Sequence, residues 1–254
     1  MIENGTVSQT IESGVATITF GHPRGNSLPG ALLREIASTI DNAAKDSNVR
    51  VVVLKTLGDK VFCGGASFDE LLAVKTPQQS NHFFSGFAIL ISAMRRCPKF
   101  IVTRVQGKVV GGGVGIVAAS DYVFAMSGAA LRLSEFALGF GPFVIGPAVQ
   151  RKIGTAAFSQ IAVDAEWRDA NWGVANGLYA QLFTDVAELD LAVAKFAAKL
   201  SASNPEATAK LKSVLWEGTE NWDELLPQRV AITAGLALTD FVQSAVQKVN
   251  VTKG

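Results

Sequence analysis

Two glycine-rich loops hold the residues of this sequence whose types and spacing could do chemistry. The first reads KVFCGGASFDE over residues 60–70. Within it, Ser67 and Glu70 form the S-x-x-E pattern of a capping box, which predicts that a helix begins just after Ser67. The N–H groups around Ala66 would then lie at the positive end of that helix, and Gly65 would let the backbone approach a ligand closely. The alternative interpretation is a tight turn with an ordinary helix cap.

The second loop reads QGKVVGGGVG over residues 106–115 and precedes the helix-forming run IVAA. Its triplet Gly111–Gly113 predicts another helix start with free N–H groups. Three consecutive glycines cost backbone entropy on folding, which favours a functional interpretation over close helix packing alone. The loop also matches the dinucleotide pattern G-x-G-x-x-A from Gly113 to Ala118. That match is weak, because the preceding strand ends near Val105 and no acidic residue ends the next strand.

Other common site chemistries are missing from the sequence. The two histidines, His22 and His82, lie far apart, and neither HExxH, GxSxG, GK[ST] nor a Cys/His cluster occurs. A histidine-dependent triad, a P-loop and a histidine-rich metal site are therefore disfavoured. We predict no metal site and no separate cofactor. Backbone donors and carboxylates remain as the groups that could act on a substrate.

The elements that must position these groups alternate between strands and helices. Patterning predicts a hairpin over 6–20, a helix with one apolar face around 32–40, and a buried strand over 50–55. A helix over 77–96 and strands over 100–105 and near 122–125 follow. After about residue 186 the pattern is helical only. The order predicts an α/β core with right-handed crossovers and a helical tail.

Composition sets limits on the partners. The 254 residues carry a net charge of +1, which provides no electrostatic footprint for nucleic acid or an anionic membrane. The longest apolar stretch, 109–119, is too short to span a bilayer. Cys63 and Cys97 form no disulfide framework, and the first ten residues have no secretory pattern, so we expect a cytoplasmic protein.

Five segments in order resemble the enoyl-CoA hydratase/isomerase (crotonase) superfamily over nearly the whole chain. His22-Pro23 through Asn26-Ser27-Leu28 is similar to that family's HPxxxNSL segment. Phe62 to Ser67 is similar to F-x-x-G-A-D, and Pro98 through the glycine triplet is similar to KPVIAAVNG…GGG. Asp121-Tyr122 and Leu133 to Gly139 resemble the motifs C-D-Y and P-E-x-x-L-G. Each motif alone is weak, whereas five in the right order and spacing are specific.

The resemblance implies a core of ββα spiral turns over residues 1–200 and a C-terminal helical region over 201–254 that builds a homotrimer or a dimer of trimers. It implies an acyl-CoA thioester substrate and an oxyanion hole formed by the N–H groups of Ala66 and Gly112. Glu135 corresponds to a catalytic glutamate; otherwise it would be a surface or helix-capping carboxylate. As further contacts for the CoA thioester we expect Arg24, Gly65, Lys99 and Gly111.

Departures from the family pattern narrow the predicted reaction. Gly115 stands where hydratases of this family carry a first glutamate, and the bulky run 143–145 (FVI) replaces small residues. One carboxylate can move a double bond by carrying a proton between two carbons, so we predict an enoyl-CoA isomerase. A hydratase of a branched or unusual enoyl-CoA, another lyase such as a decarboxylase, and a non-catalytic CoA-ester-binding homologue remain as alternatives.

Overall fold

A six-stranded sheet forms the centre of the molecule. A computed structural model describes residues 5–251 of the chain. In spatial order the strands, numbered along the chain, are β1 (Thr6–Glu12), β2 (Val15–Gly21), β4 (Val51–Thr56), β7 (Ile101–Val105), β9 (Tyr122–Met126) and β11 (Gln181–Phe183). Only β1 and β2 pair antiparallel, across the predicted Ser13-Gly14 turn. The other neighbours pair parallel, as crossover helices require.

Two small sheets stand beside the main sheet and hold the glycine-rich loops. In the three-stranded sheet, β8 (Lys108–Val110) lies between β10 (Leu131–Arg132) and β5 (Val61–Cys63). In the two-stranded sheet, β3 (Ser27–Leu28) pairs with β6 (Gly65–Ala66). Because β5 leads into the first loop and β8 leads into the second, their parallel pairing brings the two loops side by side.

Helices follow the strands and cover the sheets. The first five are α1 (Gly30–Lys45), α2 (Phe68–Ala73), α3 (Pro77–Arg96), α4 (Gly112–Ala119) and α5 (Gly146–Asp164). A 3-10 turn (Phe136–Leu138) precedes α5. The remainder are α6 (Ala170–Ala175), α7 (Val186–Ser201), α8 (Pro205–Leu215), α9 (Trp222–Ala237) and α10 (Asp240–Val251). The mixed α/β fold with C-terminal helices confirms the predicted fold class.

Helix α3 has the bounds predicted from its sequence. Thr76 and Gln79 form a complete capping box at its start, Pro77 occupies the first turn, and Arg95 and Arg96 lie in the last turn. Basic residues in the last turn interact favourably with the negative end of the helix dipole. These signals are local in sequence, which explains why the ends of α3 could be predicted without tertiary information.

The helical tail packs back onto the core through α9. Ser80 Oγ donates to Ala234 O at 2.9 Å, and at the other end of α3 Arg95 donates to Thr219 O at 3.0 Å. Helix α9 therefore lies antiparallel along α3, and buried tail residues such as Leu226 join the main apolar core. The division at residue 200 and the assembly role of the tail remain predictions. Residues 1–4 and 252–254 of that division lie outside the described residues.

Among residues 5–251, no single helix is long and apolar enough to cross a membrane. Helices α9 and α10 meet that criterion only as a pair, and they are bent by 76° at the break between them.

Candidate active site

The two glycine-rich loops meet at one place in the fold. Gly65 has φ +90, so a residue with a Cβ would be strained there. A Cβ built on Gly65 would lie 3.3 Å from Val110 O and 4.0 Å from the Gly112 nitrogen. Ala66 thus ends one loop beside the start of α4, and the two predicted donors, Ala66 and Gly112, line one cavity.

The helix after the first loop begins where the sequence predicts. Ser67 is the N-cap of α2, and its Oγ accepts from the Glu70 N–H at 3.3 Å. The second half of the capping box differs, because the Glu70 carboxylate accepts from the Gly30 N–H at 2.7 Å. Gly30 opens α1, so this carboxylate serves the positive end of a second helix, a partner that sequence spacing does not reveal.

The glycine triplet serves both a helix start and close packing. Gly111 has φ +53 and precedes α4, and Gly112 is the first residue of that helix, so no helical carbonyl can accept its N–H. A Cβ on Gly112 would lie 2.2 Å from Phe87 Cζ, and one on Gly113 would lie 2.7 Å from Cys63 Cβ. The functional and the packing interpretations of these glycines are therefore compatible.

Glu135 lies against the start of α4. It directly precedes the 3-10 turn, yet its side chain makes no capping hydrogen bond. A Cβ built on Gly111 would lie 3.2 Å from Glu135 Oε1, so the carboxyl group occupies the space that a larger residue at 111 would need. The Oε2 atom is buried without a hydrogen-bond partner. The structure thus places the carboxyl group beside the predicted donors and leaves one oxygen available.

Burial alters the acidity of this carboxyl group. Loss of solvation raises the pKa of Glu135 from its usual 4.5 to about 7, although hydrogen bonds from the backbone N–H groups of Glu135 and Ser134 lower it. A group with a pKa near 7 can both accept and return a proton at neutral pH, as general acid–base catalysis requires.

The space in front of these groups is an apolar cavity of about 70 Å³, here called the inner cavity. Its lining includes the five residues 65, 66, 111, 112 and 135 predicted from the sequence. Six phenylalanines also line it: Phe68, Phe83, Phe84, Phe87, Phe140 and Phe143. Of the described lining residues, Glu135 alone has an ionisable side chain. In aromatic surroundings of this kind, the neutral form of a carboxyl group is favoured. A cavity with such a lining binds apolar groups.

A larger cleft of about 890 Å³, here called the outer cleft, adjoins the inner cavity and shares Gly64, Phe68, Ser134 and Leu138 with it. It is lined by three cationic side chains, those of Arg24, Lys108 and Arg132. Arg24 pairs with Asp69 at the surface of this cleft. The predicted contact residue Arg24 therefore lies on the path into the cavity.

Lys99 lies elsewhere. Its ammonium group donates to the Ala43 and Asp46 carbonyl oxygens at 2.6 and 2.5 Å, at the C-terminal end of α1. Lys99 lines neither the inner cavity nor the outer cleft. Its charge stabilises the negative end of a helix, a role that a motif match alone does not distinguish from ligand binding.

At Gly115, the resemblance implies a missing glutamate. The space beside this glycine is occupied by Ile145, which directly precedes α5. A Cβ on Gly115 would lie 2.6 Å from Ile145 Cγ2 and 3.4 Å from Ile91 Cδ1. Ile145 is buried and lines the inner cavity. The bulky run 143–145 lines the cavity, and Ile145 places hydrocarbon beside Gly115.

Sequence reasoning missed the aromatic lining and one tail residue, Thr233. Phe83, Phe84 and Phe87 lie at the i, i+1, i+4 spacing of one helix face, a pattern that is more often plain core. Thr233 lies about 100 residues after the last motif of the site, and only the packing of α9 on α3 brings it to the cavity. No local pattern could have identified it.

Comparison with known proteins identifies the family of this chain. The family model for enoyl-CoA hydratase/isomerase matches residues 10–248. The chain is 26% identical over 211 residues to a probable enoyl-CoA hydratase of Bacillus subtilis (strain 168), covering 83% of this chain and 81% of that protein. It is 24% identical over 242 residues to the trans-2-decenoyl-[acyl-carrier-protein] isomerase of Streptococcus mutans, covering 93% and 92%.

The fold leads to the same class. The solved structure of an enoyl-CoA hydratase from Bacillus halodurans superposes with a TM-score of 0.88 at 18% identity, covering 95% of this chain and 99% of that one. The protein has the crotonase fold. The chain belongs to the enoyl-CoA hydratase/isomerase family of acyl-CoA enzymes.

No group of three or more His, Cys, Asp and Glu side chains within residues 5–251 is arranged to hold a metal ion.

Proposed function

We propose that this protein is an enoyl-CoA isomerase that moves a double bond with a single carboxyl group. One observation carries the proposal: Glu135, the sole ionisable side chain among the described residues of the inner cavity, keeps Oε2 buried and unpartnered beside the start of α4. A second carboxylate, which would help to position and activate water, is lacking among those lining residues. A proton shuttle needs only one.

The proposed reaction begins with a 3-enoyl thioester whose carbonyl oxygen accepts from the N–H groups of Ala66 and Gly112. The Glu135 carboxylate removes a proton from C2, and the C–H electron pair forms the C1–C2 double bond of an enolate. The negative charge then lies on the thioester oxygen, where two preorganised donors contribute several kcal/mol. Glu135 returns its proton to C4 while the double bond moves to C2–C3. Every atom of the substrate is retained in the 2-enoyl product.

The filling of Gly115 supports isomerisation over hydration. Addition of water across C2–C3 requires a water molecule held near C3 and a proton delivered to C2. Ile145 and Ile91 occupy the space next to Gly115 with hydrocarbon, which offers water no hydrogen bonds. The similarity to both a hydratase and an isomerase does not choose between the reactions, so this local packing is the discriminating feature.

The outer cleft supports a CoA thioester as the substrate. Arg24, Lys108 and Arg132 line it, and cationic side chains stabilise phosphate groups through charge-assisted hydrogen bonds. The elongated arm of CoA could extend from the outer cleft to Glu135, because the cleft and the inner cavity share four lining residues. We therefore assign phosphate binding to these three residues rather than to Lys99.

A comparison of two substrates tests the proposal. For the wild-type protein we expect faster conversion of 3-hexenoyl-CoA to the 2-enoyl product than hydration of crotonyl-CoA, both followed by ultraviolet absorbance. Glu135→Gln keeps the shape and removes the base, so isomerisation should fall about a hundredfold or more. Glu166→Gln, an exposed carboxylate outside the cavity lining, is the matched control. Wild-type hydration that exceeds isomerisation and survives Glu135→Gln would refute the proposal.

A further inference from the structure

The inner cavity has a direction, which is set by α3. Phe87 lies at its catalytic end, because its ring packs against the Cα of Gly112. Phe84 and Phe83 line the cavity next, and Ser80 follows toward the start of the helix. Seven residues separate Phe87 from Ser80, which is about 10 Å along a helix axis. The acyl group of a substrate held at Gly112 would extend along this row.

Helix α9 stands at the far end of that row. Ser80 Oγ donates to Ala234 O at 2.9 Å, which fixes α9 against the first turns of α3. The neighbouring residue Thr233 is 2% exposed and lines the inner cavity. Among the described residues of α8, α9 and α10, it alone does so. Its Oγ1 donates back to Arg229 O at 3.0 Å, so its proton is already used within α9.

Phe84 narrows the same region. Its ring makes edge contacts with Phe83 at 4.8 Å and with Phe140 at 5.6 Å between centroids. All three rings are buried, and Phe140 follows the segment that carries Glu135. Phe84 thus extends from α3 towards the segment that carries Glu135, and its side chain cannot change rotamer without breaking these contacts.

The size of the cavity sets a limit on the acyl group. The inner cavity is about 70 Å³, far smaller than the outer cleft of about 890 Å³. An acyl group that extends from Gly112 towards Thr233 must therefore be short.

We propose that α9 forms the far wall of the acyl cavity and that Thr233 and Phe84 determine the maximum acyl length. The inference rests on the proposed function. It assigns the tail a part in substrate selection within its own chain, through the shape of Thr233 rather than its hydroxyl group.

Calorimetric binding of saturated acyl-CoAs, from butanoyl-CoA to dodecanoyl-CoA, tests this without catalysis. For the wild type, affinity should rise about fourfold per methylene over the shorter chains and then stop rising at a break. Thr233→Ala and Phe84→Ala should each move this break to longer chains, because they remove the wall. Thr233→Val keeps the shape and should leave the break in place. Val230→Ala, on the same buried face of α9 but outside the cavity lining, is the matched control.

The outcomes separate the two proposals. A length profile that is the same in the wild type, Thr233→Ala and Phe84→Ala, with circular dichroism showing folded protein, overturns the wall and leaves the isomerase proposal intact. A profile that shifts equally in Val230→Ala also overturns it, since general loosening of α9 would then be the cause. Failure of the wild type to bind any acyl-CoA overturns the proposed function and this inference with it.

Discussion

At the scale of single residues, the protein maintains a carboxyl group in an environment that opposes its charge. Glu135 lies among aromatic rings, and its Oε2 is buried and unpartnered. A buried charge without a partner reduces the stability of the folded state, and such groups concentrate at functional sites. The same burial that reduces stability brings the pKa of this group to the range useful for proton transfer.

Replacing Glu135 by glutamine should increase the free energy of unfolding, and the size of this increase should depend on pH. The pKa of Glu135 is about 7 in the folded protein against a usual 4.5, so the folded state binds more protons between these values. Its stability therefore falls as pH rises from 4.5 to 7, by up to roughly 3 kcal/mol for this group. Urea denaturation should show Glu135→Gln more stable than wild type at pH 8, with the gain shrinking toward pH 5.

The exposed Glu166→Gln serves as the control for that experiment, since a surface carboxylate contributes little to stability. Equal stabilities of Glu135→Gln and wild type at pH 8 would mean that Glu135 is well solvated or paired.

At the scale of elements, α4 packs closely against Ile145, the residue that directly precedes α5. Gly115→Ala would ordinarily stabilise a helix by about 1 kcal/mol. Here the new methyl would lie 2.6 Å from Ile145 Cγ2 inside a packed core, and overpacking of this kind costs about 1–3 kcal/mol. We therefore expect net destabilisation, and we expect Ile145→Ala to relieve it.

A double-mutant cycle measures this coupling by urea denaturation. The combined Gly115→Ala and Ile145→Ala variant should be more stable than the sum of the single effects predicts, by about 1 kcal/mol or more. Additive effects would show that Ile145 does not fill the space beside Gly115. A glutamate introduced at position 115 would thus require a residue smaller than isoleucine at position 145.

Helix α8 is attached to the core by a buried ion pair. Lys212 Nζ lies 2.9 Å from Asp121 Oδ2 and donates to Lys99 O at 2.8 Å, and the Lys212 and Asp121 side chains are 2% and 7% exposed. Removal of one partner leaves a buried charge, so Lys212→Met should destabilise the protein by about 3–5 kcal/mol. Lys210→Met, on the exposed face of the same helix, should change stability by less than about 1 kcal/mol. Similar effects of the two variants in thermal denaturation would contradict this role.

The sequence predicted the elements whose signals are local. The capped helix α3, the opening hairpin and the two glycine loops were found where expected, because caps, turns and periodicity act over a few residues. The short strands β3, β5, β6, β8 and β10 were not predicted, since two or three residues carry no periodic pattern. The break between α9 and α10 was also missed, and it lies at Leu238-Thr239, without glycine or proline.

The site was predictable to a similar degree. Ala66, Gly111, Gly112 and Glu135 belong to motifs that can be recognised in the sequence. These residues could therefore be proposed in advance. Thr233 and Phe84 reach the cavity through packing between distant elements, which composition does not encode. Lys99 shows the converse, because a matched motif placed a lysine near a proposed ligand while the fold directs it to the end of α1.

At the scale of the whole molecule, the tail presents an uncovered apolar face. Leu211, Val214 and Leu215 lie on one side of α8 and are 52%, 56% and 51% exposed, whereas Trp216 and Leu226 are buried. We propose that this face joins copies of the chain in a trimer or a dimer of trimers. Light scattering should give three or six times the chain mass at micromolar concentration, and Leu211→Glu with Leu215→Glu should shift the species to monomer.

Leu191→Glu is the matched control for assembly, because Leu191 is exposed on a different helix, α7. A wild-type monomer, or an unchanged oligomer in the double variant, would contradict the proposed interface.

In the proposed mechanism, one carboxyl group in an apolar cavity carries a proton from C2 to C4 of the same substrate. The most direct measurement uses 3-hexenoyl-CoA deuterated at C2, converted in ordinary water, with deuterium in the product located by NMR. The account predicts deuterium at C4, because a proton held by Glu135 among aromatic rings exchanges slowly with solvent compared with its return to carbon. A product in which C4 carries only solvent hydrogen would contradict it.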